Sequence, residues 1–242
     1  GLPDDLIDIY GTADDADESE SEEGSVFARV FRKVAGSIDT IAATPDSLRD
    51  RIGDLMRLEP LMDDMRDRIE ERLIATIERL LNSAEARQVL FPGGSTPRVD
   101  HELRSVIEGE FLLAVIDRVL FDDDGGVQFV QYRTRRIARE DLRAAAEASL
   151  PQLRLYAYLL SAFDTRRTGV TGTILFTQHP DEPQRFMFTT ADSMMIEQDI
   201  GRAARDIRRL TYGGRRDLPD QSSHCPACPF HVRGSCLMSA SR

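Results

Sequence analysis

Apolar residues recur at helical spacing through the first third of the chain. Val26, Phe27, Val30, Phe31 and Val34 mark one face of a short amphipathic helix expected between Gly24 and Ile41. Two more helices are expected over Asp46–Leu58 and Leu61–Leu90. In the second of these, Met62, Met65, Ile69, Leu73, Ile77 and Leu80 form one stripe with charges opposite, the pattern of a core-facing helix. Phe91-Pro92-Gly93-Gly94-Ser95 breaks the helical half. The period then changes. Arg104–Phe121 reads as one or two strands, and Asp122-Asp123-Asp124-Gly125-Gly126 as a hairpin turn, because Asp and Gly tolerate the left-handed backbone such turns need. Val127–Thr134 is the return strand. Ala138–Phe163 is helical, with Pro151 a boundary or kink. Strands follow at Val170–Thr177 and Gln184–Thr190, then a long helix at Ala191–Leu210. This order implies a mixed α/β layout with helices packed on a central sheet.

Composition adds boundaries to that outline. Of 242 residues 41% are hydrophobic, enough for a sizeable core, and with no Trp the core must rest mainly on Leu, Ile, Val and Ala. No apolar run reaches the roughly 18–20 residues of a membrane span. The first residues lack the basic start and apolar run of a secretion signal, so a cytoplasmic location is expected. The net charge of −11 is unevenly placed. Residues 1–23 hold ten acids and no Lys or Arg, leaving thirty-two acids against thirty-one bases elsewhere. The start therefore reads as an acidic disordered linker, and the folded remainder as charge-balanced. Lys33 is the only Lys; every other base is Arg.

The segment "EFLLAVIDRVLFDDDGGVQFVQYRTRR" from Glu110, followed by "PQLRLYAYLL" from Pro151, carries a more specific signal. It resembles the core of PD-(D/E)XK nucleases of the RecB/AddA type, which sit at the end of UvrD/RecB-like DNA helicases. That family places one acid in a "G-x-I-D-R" strand and a second acid and a Lys across the hairpin. A Gln and a Tyr follow one turn apart on the next helix, and an upstream helix supplies a His. The resemblance implies a restriction-endonuclease-like α/β core, with a central mixed β-sheet flanked by helices and an N-terminal helical region. The expected division is an acidic linker at 1–23, a helical part at 24–95, a nuclease-like core at 96–220 and a Cys-bearing tail at 221–242.

Against that pattern, Asp117 matches the first acid, and Gln152 and Tyr156 match the helix motif. Gln131 stands at the second acid, Arg133 at the Lys, Ala28 at the His and Ala114 at the Gly. The substitutions have chemical consequences. Phosphodiester cleavage of this kind relies on a hard divalent cation held by carboxylate oxygens. Gln131 offers a neutral amide oxygen, so Mg²⁺ would meet a weakened site. Arg133 stays protonated and cannot serve as a base, although it can grip a phosphate. Glu108, Glu110 or Asp122–Asp124 could supply a migrated carboxylate, or could be solvated strand-end and turn acids. Asp117 could equally be structural, paired with Arg118 or Arg133.

Two further groups bear on partners. Arg133, Arg135, Arg136 and Arg139 cluster after the return strand, and Arg202, Arg205 and Arg209 share a helical face near the end. Such patches suit sequence-independent contacts to DNA phosphates. Cys225, Cys228 and Cys236 all lie in the tail, the first two as a C-x2-C pair. With no upstream Cys, a complete four-Cys iron-sulfur cluster within this chain is excluded. A zinc site completed by His224 or His231, a degenerate and empty cluster site, and reduced thiols stay open. Three functions follow as expectations. The first is a non-cutting nuclease-like domain that guides DNA beside a helicase motor in break repair and recombination, the motor lying in the same chain or another subunit. The second is an active Mg²⁺-dependent exonuclease with a rearranged site. The third is a scaffold that only docks on the motor.

Overall fold

The computed structural model describes residues 22–38, 45–93, 95–107, 109–122, 125–163 and 169–212. Among the described residues, four helices come before the sheet: α1 (Glu22–Ser37), α2 (Pro45–Met56), α3 (Asp63–Asn82) and α4 (Ala84–Leu90). The stripe expected on α3 is buried from Ile69 through Leu73 and Ile77 to Leu80. Met62 departs from it and is 69% exposed. It is the N-cap residue, in extended backbone, so the helical period does not yet hold there. The single helix expected over Leu61–Leu90 is two. Ser83 takes an extended conformation that ends α3, and its hydroxyl accepts from the Ala86 amide to cap α4.

The sheet has the order β1-β2-β3-β4-β5, formed by β1 (Ser95–Ile107), β2 (Glu110–Asp122), β3 (Val127–Arg133), β4 (Gly169–Phe176) and β5 (Gln184–Thr189). β1–β2, β2–β3 and β4–β5 are antiparallel, while β3–β4 is parallel. The parallel crossover carries a 3₁₀ turn (Arg139–Asp141), α5 (Leu142–Ala148) and α6 (Leu150–Phe163); α7 (Thr190–Tyr212) follows β5. Pro151 falls in the first turn of α6, where its missing N–H leaves no helical bond unmade. β1 starts well before Arg104, where the sequence places the first strand. It is an edge strand with few apolar residues, and such strands accept Pro97 because one side needs no ladder donor.

Both faces of the sheet are covered. α1–α4 pack against Leu120, Val130, Tyr132 and Leu175. α5, α6 and α7 pack against Val119, Val127, Phe129 and Ile174. Strands buried on two sides need apolar residues at successive positions, which accounts for the unbroken run "VLF" in β2 and "TILF" in β4. Two close approaches fix the layers. A Cβ on Gly36 would lie 2.4 Å from Val99 Cγ1, and one on Gly172 would lie 2.5 Å from Phe129 Cζ.

One irregularity positions the site. Side chains alternate faces along a strand, yet Ala114 and Ile116 share a core with Val119. The phase therefore slips at Asp117–Arg118. Opposite the slip, the β1–β2 ladder skips from Val99↔Arg118 to His101↔Ile116, and the residue between, Asp100, has φ 46°. β2 bends here. The β2–β3 ladder ends at Arg118↔Val130, so the two strands part just where Asp117 and Gln131 follow.

Candidate nucleic-acid interface

Asp117 fills the fork between the parting strands. Its Oδ2 accepts from the Tyr132 amide at 2.9 Å, and its Oδ1 lies 3.2 Å from Arg32 Nε on α1. The carboxylate is buried, whereas 44% of the Arg32 side chain is exposed. Burial holds the Asp117 carboxyl above the ordinary Asp range, against the opposing pull of Arg32, the Tyr132 amide and Arg133. Arg118 is buried and donates to the Leu90 carbonyl at 2.9 Å, so it ties β2 to α4. The ion pair described for Asp117 is with Arg32, a residue the sequence did not single out, and the charge of Arg133, one of the two partners weighed from the sequence, adds to it.

The other family positions gather on the α6 side. Arg133 Nη2 donates to Gln152 Oε1 at 2.9 Å and to Ser149 Oγ at 3.1 Å. Gln152 Nε2 donates to the Tyr156 hydroxyl at 2.7 Å, which donates to the Val115 carbonyl at 3.2 Å. This relay joins β3, α6 and β2, and burial raises the Tyr156 hydroxyl further above its ordinary pKa. Phe129 meets the Tyr156 ring edge-on at 5.8 Å. Gln131 is buried, and its Oε1 has no hydrogen-bond donor within reach among the described residues.

A cleft of about 550 Å³ opens on the α1 side of the bend. Arg29, Arg32, Lys33, Arg72 and Arg135 line it, with Asp100 as the only acid among the described lining residues and Ala28 in its wall. Two of these cations are held in place. Arg29 donates to both carboxylate oxygens of Glu59, and the Arg72 guanidinium sits 4.4 Å from the Phe27 ring centre. Ala28 and Arg32 are one helical turn apart on α1, so the position expected to carry a His and the guanidinium beside Asp117 share one face.

Asp117 on β2, Gln131 and Arg133 on the next strand, and Gln152 and Tyr156 one turn apart on the crossover helix thus stand around one junction of the sheet. A family model described as the PD-(D/E)XK nuclease superfamily matches residues 7–233. The chain belongs to that superfamily. Among solved structures, a provisional exonuclease from Eubacterium rectale is similar over 91% of this chain and 93% of its own, with 8% identity and a TM-score of 0.47. The structure of SSO0001 is similar over 87% of this chain and 96% of its own, with 15% identity and a TM-score of 0.39. None of the curated proteins matches this chain.

PD-(D/E)XK nucleases use Mg²⁺, and the residues at this bend do not fit one. Mg²⁺ takes six oxygen ligands at close range, carboxylates among them. Here one Asp117 oxygen faces a guanidinium and the other a backbone amide, and the second-acid position supplies only the Gln131 amide. Among the described residues no group of three or more His, Cys, Asp or Glu is placed to hold a metal ion. Of the carboxylates weighed as replacements, Asp122 lies five residues along β2, roughly 17 Å away at the usual rise of an extended strand. Glu110 starts β2 seven residues on the other side, and Glu108, Asp123 and Asp124 lie outside the described residues. The acid that does come near is Asp100, whose charge reaches Asp117 across the bend.

The Arg clusters are dispersed. Arg135 lines the cleft and Arg136 is exposed next to it in sequence. Arg139 is forked onto Asp181 and Glu182, clamping the start of the crossover to the β4–β5 turn. Arg202 pairs with Asp199 at 3.6 Å, and Arg205 is exposed. Both lie on α7, in the layer opposite α1. The Arg209 side chain lies outside the described residues, as do Cys225, Cys228, Cys236 and His224. No helix among the described residues is long and apolar enough to cross a membrane.

Proposed function

We propose that this chain is a nuclease-like DNA-binding domain that no longer cuts, and that it guides DNA for a UvrD/RecB-like helicase in break repair and recombination in the cytoplasm. The observation that carries the loss of cutting is the state of Asp117. The one retained acid is closed off by Arg32 and the Tyr132 amide, while Gln131 and Arg133 occupy the other chemical positions. The cation-lined cleft beside it supports DNA binding, because among the described residues five basic side chains line it and two of them, Arg29 and Arg32, are paired with Glu59 and Asp117. The helicase setting rests on the likeness of the segment from Glu110 to Tyr158 to the RecB/AddA branch.

The alternative is an active, rearranged exonuclease, and two observations favour it. Asp100 stands opposite Asp117 in left-handed backbone, a strained conformation of the kind found at working sites. The Gln131 Oε1 is a buried acceptor with no donor among the described residues. A cleavage assay on single- and double-stranded DNA with Mg²⁺ or Mn²⁺ decides between the two. The proposal expects DNA retarded on a gel but not shortened. Metal-dependent products that disappear in both Asp117→Ala and Asp100→Ala overturn it. Neither cutting nor binding leaves a scaffold that only docks on its motor.

A further inference from the structure

We propose that the Arg32 guanidinium takes the place of the divalent cation of this fold, so that the cleft holds a phosphate of a DNA strand with no metal ion. This rests on the DNA-binding function proposed above and names the group that replaces the metal.

In a metal-dependent site, the carboxylate anchors a cation and the cation meets the phosphate. Arg32 reproduces both contacts with one side chain. Its Nε lies 3.2 Å from Asp117 Oδ1, and the guanidinium fixes that end of the side chain against a buried anion. A guanidinium carries five N–H donors in a rigid fork. Nε is held beside Asp117 by charge, and the terminal nitrogens carry four donors in a side chain that lines the cleft and is 44% exposed. That fork matches two phosphate oxygens at once. The backbone helps to set the fork. Arg32 projects from α1, whose other face is locked by Val30, Phe31 and Val34, and Gly36 brings the helix against Val99 on β1.

The surroundings suit the same ligand. Glu59 and Phe27 hold Arg29 and Arg72, and Lys33 and Arg135 complete the basic wall. Cations fixed before binding lose little freedom on binding, which favours affinity. The cleft volume of about 550 Å³ is within the range that takes a small ligand or part of a strand. Ala28, one turn before Arg32, leaves the wall open where a larger side chain would narrow it.

The test measures binding of a short fluorescein-labelled single-stranded oligonucleotide to the full chain by anisotropy, in EDTA and in Mg²⁺ at matched ionic strength. Wild-type protein is expected to bind equally in both, because Mg²⁺ acts only as a screening salt. Arg32→Ala and Lys33→Glu are each expected to weaken binding about tenfold in both buffers. Lys33 is exposed, so its variant reports on the cleft even if Arg32→Ala fails to fold. Binding that requires Mg²⁺ and disappears in EDTA overturns the inference and leaves DNA binding standing. Binding in EDTA that neither variant weakens places the DNA elsewhere and overturns it too. No binding in either buffer at low salt overturns the DNA-binding function itself.

Discussion

Arg32→Ala removes the only side-chain ion-pair partner described for Asp117 and leaves a buried carboxylate. Breaking a fully buried pair from one side costs about 3–5 kcal/mol, and an exposed pair contributes about 0–1 kcal/mol. Asp117 is buried but Arg32 is nearly half exposed, so solvent screens part of the interaction. The expected loss at neutral pH is about 2 kcal/mol. Its pH dependence has a definite sign. Burial already raises the Asp117 pKa in the folded state, so the folded protein holds that proton longer than the unfolded chain. Stability therefore falls as pH rises from the ordinary Asp range through the folded pKa, then levels. Removing Arg32 raises the folded pKa further and deepens the fall. The variant should be close to wild type at acid pH, where Asp117 is protonated in both, and its loss should grow as pH rises and the carboxyl ionises. Urea unfolding followed by circular dichroism at several pH values measures this. The coupling is isolated by repeating the substitution in Asp117→Asn, where no charge is left to compensate and most of the loss should vanish. A loss that is equal at all pH values, and undiminished in the Asp117→Asn background, would refute the assigned pairing.

Two other changes probe the frame of the site. Gly172→Ala forces a methyl group to within 2.5 Å of the buried Phe129 ring, and overpacking of this kind costs about 1–3 kcal/mol; the urea midpoint should drop with an unchanged slope, and an unmoved midpoint contradicts the close approach. Tyr156→Phe removes the hydroxyl that links Gln152 to the Val115 carbonyl, with an expected loss of about 1–2 kcal/mol. That loss should be flat across neutral pH, because burial keeps the hydroxyl protonated there; wild-type stability would show that the relay contributes nothing.

Much of the α6 side of the site was legible in the sequence, and little of the α1 side. Asp117, Gln131, Arg133, Gln152 and Tyr156 belong to adjacent elements joined by a hairpin and one crossover. The resemblance marks these five positions, and the hairpin and crossover between them bring them to one junction. Arg32 and Asp100 gave no such signal. Arg32 sits one turn from Ala28, yet its contact with Asp117 is long-range and depends on how α1 lies across the sheet. Asp100 enters the site through a backbone irregularity in an edge strand whose apolar pattern is too sparse to mark it as a strand. Arg139 shows the converse. Its place in an Arg-rich run suggests DNA, but its fork to Asp181 and Glu182 depends on a turn forty residues on in the chain.

The account turns on the absence of a working metal seat at Asp117, and manganese binding tests that most directly. Electron paramagnetic resonance of free Mn²⁺ should show the same uptake by wild-type protein and Asp117→Asn, because the wild-type carboxylate already faces Arg32 and the Tyr132 amide. A Mn²⁺ site present in the wild type and lost in Asp117→Asn would contradict the account.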